Sequence, residues 1–557
     1  MARLLAPAAL LAGLGALAAC GGQGSGAGAN ATTGDDAGAG DGGAGASLDD
    51  AAGCRLVSQG TAGLALRATL LVPAGPLDGE ILVDASGKIA CVASSCASAA
   101  GYGQATRIAC DSAVVAPGFV NAHDHTNYDA DPPVPHGTTR YQHRNEWRTG
   151  ADGAMALPSQ KSTSSAAALA SVELRFVMSG VTSIVGSGGV RGLARNLAAY
   201  SDTAQLEGLS GKTVYFDTFP LGDSNGTILT SGCAYPGPIS AQSAFSDGVF
   251  APHFAEGINP GAENEIECAD STLGLVTSHT AILHAVGTNA KDVAAIASAG
   301  ASVVWAPRSN ISLYGDTMPV TEMKNAGVPI ALGTDWLPTG SMNMLRELDC
   351  ADFVNTKYFA GAFSDADLVQ MATANSAKAM GFGDQVGTLA PGMAADLVVF
   401  ATSGDKSWRT PIEASSEDVA LVLRGGKVLY GDAQLVQAAS GQACEALTVC
   451  NVAKAACIDT PGVKLADALA AAQSSYPLFV CRGQTPANEP SCVPYRDTYP
   501  NGTSATDHDG DGVADATDDC PDVFNPPRSM DGGKQSDVDG DGVGDACDAK
   551  PLDPSSH

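Results

Sequence analysis

Basic side chains are scarce in this chain: 30 Lys and Arg stand against 60 Asp and Glu in 557 residues, a formal charge of −30. That balance removes the positive footprint nucleic-acid binding requires, so no nucleic acid is expected as a partner. The 15 cysteines lack the two close pairs of a structural zinc site, which leaves them out of the metal chemistry. The apolar run Leu4 to Ala19 falls short of the roughly 20 residues a membrane-spanning helix needs. What is plentiful is apolar surface: 45% hydrophobic residues supply ample core for one large catalytic domain and smaller units.

The N-terminal run, with Arg3 ahead of it, has the shape of a secretory signal over residues 1–20. Leu17-Ala-Ala-Cys20 resembles a bacterial lipobox, which implies lipidation of Cys20; an ordinary cleaved signal is the alternative. The expectation is an exported cell-envelope lipoprotein, at the outer membrane or surface, touching the membrane by its lipid anchor only. Residues 21–53 are almost entirely small and polar and read as a flexible tether. Setting Cys20 aside leaves 14 cysteines, an even number suited to an oxidising compartment. Close spacing suggests bridges Cys91–Cys96 and Cys481–Cys492, and one among Cys444, Cys450 and Cys457, without fixing the connectivity.

The stretch Val115 to His125 is a strand-like apolar run ending in His123-Asp-His125. Residues i and i+2 of an extended chain project to one side, so both imidazoles can meet one ion. Downstream, His253, His284 and Asp335 each close a short strand-like segment, with helix-length sequence between them. Chemistry-bearing residues at successive strand ends are the pattern of a (β/α)8 TIM barrel, an α/β fold. Val181–Val185, Thr213–Phe219 and Ala301–Trp305 read as further strands and Ser162–Ser179 as a helix, so about seven of eight barrel strands can be placed, the fourth being unclear.

Pro117-Gly-Phe-Val-Asn-Ala-His-Asp-His125, His253-Phe-Ala-Glu256, His284, Ser309-Asn310, Gly333-Thr-Asp335 and Gly387 to Val399 resemble the amidohydrolase superfamily of metal-dependent hydrolases, the His-x-x-Glu element its deaminase and chlorohydrolase branch. The resemblance implies one divalent metal, zinc or iron, held by His123, His125, His253 and Asp335. The ion would lower the pKa of bound water to about 7 for attack on a carbon bearing nitrogen. Glu256 is the candidate proton shuttle, and His284 either orients the water or coordinates a second metal, giving a catalytic set of Glu256, His284 and Asp335. Taken singly, Asp335 reads equally as a helix N-cap and Glu256 as a loop charge. Members with two metals bridge them with a carboxylated lysine ending the fourth strand. The only lysines before His253 in that region, Lys161 and Lys212, are not so placed, which favours one metal. Trp305-Ala-Pro stands where such deaminases more often show His-Cys-Pro.

The resemblance also implies a small β-sandwich built from both flanks, residues 54–116 and 386–435, around a barrel at 117–385. By pattern alone the flanks are equally two separate β units. The insert from Thr126 to Lys161 carries His136, Arg140, His143, Arg144, Glu146 and Trp147, and reads as a lid or as a solvated loop. Arg308 reads as a surface residue, with contact to an anionic substrate group as the alternative. Residues 436–500 form a cysteine-rich extension with a helix at Lys464–Gln473. Residues 501–557 hold 14 Asp against three basic residues and resemble thrombospondin type 3 calcium repeats. Alternating carboxylates with glycines suit Ca2+: Asp507, Asp509, Asp511, Asp515 and Asp518 in one copy, Asp537, Asp539, Asp541, Asp545 and Asp548 in the next, with a Cys520–Cys547 bridge. The expected activity is hydrolysis of a non-peptide carbon–nitrogen bond in a small molecule. The alternatives are a cyclic or dipeptide-like amide substrate, or a calcium-dependent surface protein with a silent barrel.

Overall fold

The computed structural model describes residues 46–48, 50–199, 201–442 and 444–556, so the expected signal segment, Cys20 and most of the expected tether lie outside the described residues. Its centre is a ring of parallel strands: β1 Phe119–Asp124, β2 Val181–Gly186, β3 Arg195–Asn196, β4 Tyr215–Asp217, β5 Phe250–Phe254, β6 Ala281–His284, β7 Ser302–Trp305 and β8 Ile330–Leu332. β1 to β3 and β4 to β8 form two parallel arcs. Val214 N–H donates to Leu197 O at 2.8 Å across one seam, and Asp335 N–H to His123 O at 3.1 Å across the other, closing the barrel. The second seam is tight: a Cβ on Gly333 would sit 2.8 Å from the His123 Cβ, so only glycine lets these backbones approach. The strand missing from the sequence reading is the third, not the fourth. β3 has two residues, both polar, and carries no periodicity to read.

Inside the ring, Val120, Ala122, Ala251, Ala281, Leu283, Val304 and Ala331 pack as one cluster. Outside it, Phe250, Ile282, Val303 and Leu332 meet the helices. The helix Ala166–Val177 starts where the Ser165 side chain accepts from Ala168 N–H.

The flanks join in one 11-stranded sheet through the antiparallel pair Thr106–Pro117 and Leu397–Ala401. Alternation sorts the second strand: Leu397 and Val399 face the sheet's own core, Val398 and Phe400 the barrel. Two boundaries differ from expectation. Ala46–Ser47 pairs with Cys54–Ser58, and Leu48 and Ala52 are buried, so the end of the supposed tether belongs to the sheet. The extension is likewise not a separate unit: Glu445–Val449 and Val452–Ala456 continue the sheet, and Leu465–Ser474 packs on the Ala166–Val177 helix.

The bridges are Cys54–Cys110, Cys91–Cys96, Cys233–Cys268, Cys350–Cys492, Cys444–Cys457, Cys450–Cys481 and Cys520–Cys547. The expected Cys481–Cys492 pair does not form. Cys481 reaches the turn at Cys450, and Cys492 meets the buried Cys350 on the helix Met344–Tyr358. Proximity in sequence ranks below proximity in the fold.

Candidate metal centre

The C-terminal ends of β1, β5, β6 and β8 bring His123, His125, His253, His284 and Asp335 to one point. His123, His125 and Asp335 place a ligand atom each within 4.8 Å of one another, and so do His123, His253 and His284. Asp335 Oδ1 lies 3.2 Å from His123 Nε2 and 3.7 Å from His125 Nε2, and His125 Nε2 lies 3.2 Å from His253 Nε2. Backbone strain accompanies this convergence: φ is +52° at Ala255, +71° at His284, +47° at Ala285 and +52° at Asp335. Four non-glycine residues in the left-handed region cost on the order of 1–3 kcal/mol each, which the surrounding packing has to sustain.

His123, His125 and His253 are held neutral by burial. Burial, then the neighbouring His123, pushes His125 down to about 3; burial also depresses His123 and His253. Burial alone would raise Asp335, but the surrounding imidazoles outweigh it and hold the carboxyl below the usual range. Both ring nitrogens of His123 are buried without an aligned hydrogen-bond partner. Orphaned lone pairs beside a carboxylate fit a divalent cation that takes nitrogen and oxygen together.

A supporting layer orients the ligands. His253 Nδ1 meets Asp217 O at 3.0 Å, and His284 Nδ1 meets Asn310 Oδ1 at 3.1 Å. Ser309 Oγ donates to Asp335 Oδ2 at 2.6 Å. Asp335 is therefore a member of the cluster rather than a helix cap, and Glu256 is buried, not a solvent-facing loop charge. Glu256 Oε2 lies 3.9 Å from His284 Nε2, and Oε1 accepts from Tyr314 OH at 2.7 Å. Neither Lys161 nor Lys212 approaches: Lys161 is exposed and Lys212 Nζ donates to Ser246 O at 2.7 Å.

A cavity of about 330 Å³ opens over the cluster. The insert forms much of its wall through Tyr128, Trp147, Arg148 and Leu157 to Gln160, facing Phe219 and Trp336. This insert is no solvated loop. His143 caps the helix Arg144–Thr149 through Asn145 N–H, and Arg144 is buried, pairing with Asp223 at 2.7 Å and Glu265 at 3.4 Å. Its guanidinium also donates to Thr218 O at 3.0 Å and its backbone N–H to Glu256 O at 2.9 Å, so one residue ties β4, β5 and the insert together. A Cβ on Gly257 would lie 2.4 Å from Gln142 O, which shows how closely the insert is laid down. Arg308, in contrast, is buried away from the cavity, donating to Ser341 Oγ at 2.6 Å and lying 3.4 Å from Glu489, so it is neither surface nor substrate contact.

In the acidic tail, Asp507, Asp509 and Asp511 bring carboxylate oxygens within 4.8 Å of one another, as do Asp537, Asp539 and Asp541. Burial, then the adjacent carboxylates, pushes Asp509 up to about 8 and, with Asp518 and Asp507 nearby, Asp511 up to about 7. Asp518 and Asp548 each keep one buried oxygen without a partner. Asp515 and Asp545 accept His508 N–H at 2.9 Å and Val538 N–H at 3.0 Å within the same loops.

Parallel strands that deliver imidazoles and a carboxylate to one mouth define a TIM barrel with a candidate metal centre. Residues 241–429 match the amidohydrolase family. A 5-methylthioadenosine/S-adenosylhomocysteine deaminase of Teredinibacter turnerae is 39% identical over 130 residues, 23% of this chain and 29% of that protein. The enzyme of the same name from Halobacterium salinarum is 34% identical over 178 residues, 29% of this chain and 40% of that protein. The chain thus spans well under half the length of these curated relatives. Among solved structures, a triazine hydrolase variant is 19% identical with a TM-score of 0.50, covering 66% of this chain and 94% of that one, a likeness of fold.

Proposed function

We propose that this chain hydrolyses a non-peptide carbon–nitrogen bond of a small molecule with one divalent metal, zinc or iron. The observation that carries the reading is the buried His123, whose ring nitrogens have no aligned hydrogen-bond partner, at the centre of a cluster with His125, His253, His284 and Asp335. His123, His125, His253 and Asp335 hold the ion in this reading, which when bound brings a coordinated water toward neutral pKa and polarises the electrophile. Glu256 takes the proton from water on Oε2 and returns it to the leaving nitrogen, so that a C–N bond is exchanged for C–O and the carboxylate is restored. His284, its Nδ1 turned to Asn310 Oδ1, presents Nε2 as an acceptor that orients the attacking water. The absence of a lysine at the end of β4 supports a single metal. A cavity of about 330 Å³ with aromatic walls suits a small, flat substrate. The test is an ammonia and amine release screen over amidines, guanidines and cyclic amides with zinc-loaded protein. Turnover that Glu256→Gln abolishes supports the reading; a fully active Glu256→Gln overturns the assignment of Glu256.

For the tail we infer calcium binding by the Asp507 and Asp537 loops: crowded, partly buried carboxylates, some with unpartnered oxygens, need a cation to stay ionised together. Calcium titration monitored by calorimetry, weakened by Asp509→Asn, tests it. Export with lipidation at Cys20 rests on sequence; metabolic palmitate labelling lost in Cys20→Ser is its test.

A further inference from the structure

Tyr314 ends the helix Pro307–Tyr314 after β7 and is wholly buried. Its hydroxyl has two partners, Glu256 Oε1 at 2.7 Å and Trp147 Nε1 at 2.9 Å. An indole N–H only donates, so the phenol accepts from Trp147 and commits its own proton to Glu256. Burial, then the charge of Glu256, pushes the phenol well above its usual pKa, so that proton stays in place. The backbone that carries the ring is anchored as well. Arg496 Nη1 donates to Tyr314 O at 2.5 Å and to Tyr141 O at 3.0 Å, while Tyr141 N–H donates to Leu313 O at 2.8 Å. Trp147 and Tyr141 belong to the insert, Arg496 to the C-terminal extension.

We propose that Tyr314 is a positioning residue: its hydroxyl clamps one oxygen of Glu256, leaving Oε2 alone to move protons, and Trp147 sets the direction of the clamp. The proposal rests on the hydrolase reading of the site. Without the clamp the carboxylate rotates about its last torsion and presents either oxygen, so transition-state alignment suffers while ground-state binding does not.

The experiment compares zinc-loaded full-length protein with Tyr314→Phe, using as probe whichever compound the amine-release screen shows to be turned over. Losing a hydrogen bond to a charged group predicts a roughly 10–100-fold fall in kcat with KM within about two-fold. Unchanged kcat, or a loss confined to KM, overturns the proposal. Crystal structures of the zinc-loaded proteins read it without turnover: the Glu256 carboxylate holds one orientation in the parent and departs from it in Tyr314→Phe, and an unmoved carboxylate overturns the clamp. A screen with no turnover therefore rejects the hydrolase reading while the crystallographic comparison still decides Tyr314. If Tyr314→Phe does not fold, Trp147→Phe removes only the N–H into the phenol. It is expected to lower kcat about three-fold with KM unchanged, and no effect on kcat overturns the proposal.

Discussion

Replacing Arg144 by methionine removes the guanidinium and keeps most of the side-chain volume. Arg144 and its partners Asp223 and Glu265 are all buried, with Asp223 at 2.7 Å and Glu265 at 3.4 Å. Deleting one partner of a buried ion pair leaves an uncompensated charge, a loss of about 3–5 kcal/mol. The pH dependence gives the mechanism a signature. In the parent, burial would raise the Glu265 carboxyl, but Arg144 and then His143 hold it below the usual 4.5, so its contribution is present above 4.5 and fades as pH falls through the folded value. In Arg144→Met burial prevails, the folded pKa rises above the unfolded one, and the cost grows as pH climbs. The stability gap between parent and variant should therefore be smallest near pH 4.5 and widest near pH 8. Urea unfolding of zinc-saturated, disulfide-intact protein at a series of pH values measures it. A gap below about 1 kcal/mol, or one that does not change with pH, refutes the account. Asp223→Asn added to Arg144→Met should recover part of the loss, since it removes one of the stranded carboxylates.

Glu173 accepts Val190 N–H at 2.7 Å, and burial pushes its carboxyl up to about 8 from 4.5. Its folded form keeps a proton that the unfolded chain has released, so parent stability falls as pH rises from 4.5 to 8. Glu173→Gln should match the parent near pH 5 and exceed it by a few kcal/mol, on the order of 1.4 per pH unit, toward pH 8; parallel melting curves at all pH values contradict this. The Cys350–Cys492 bridge closes a loop with a sequence separation of 142, for which chain entropy predicts a loss of about 5 kcal/mol in Cys350→Ser/Cys492→Ser, read by chemical denaturation. Chelation followed by zinc titration should restore activity at one equivalent per chain, and Asp335→Asn should weaken zinc retention; two equivalents before saturation would reject the single-metal reading.

The metal cluster was legible because each of its members closes a strand, and an apolar run ending in a polar residue is a local signal. His123, His125, His253, His284 and Asp335 all meet as that pattern implies. β3 was illegible because Arg195–Asn196 has neither length nor periodicity. Arg308 was misread because its environment depends on Glu489, far along the chain, and nothing near it in sequence announces burial. Tyr314 escaped for the same reason: its bond to Glu256 spans 58 residues. The insert gave a partial signal, since Arg144, His143 and Trp147 form a dense polar and aromatic set, yet which of them braces the mouth depends on Asp223, Glu265 and Tyr314.

The acidic tail does not hang free of the barrel mouth. Arg528 donates to Val286 O and Thr288 O, just past His284 and across a separation of 240 residues in the latter case, and Ser529 Oγ donates to Gln142 Oε1 of the insert at 2.8 Å. Contacts so distant along the chain form late, because the intervening loop must be closed first. The mouth and the tail should therefore be completed together, and pulse-labelled exchange should find the Met530 amide, which donates to Ile258 O at 3.2 Å, protected no earlier than the Ile258 amide.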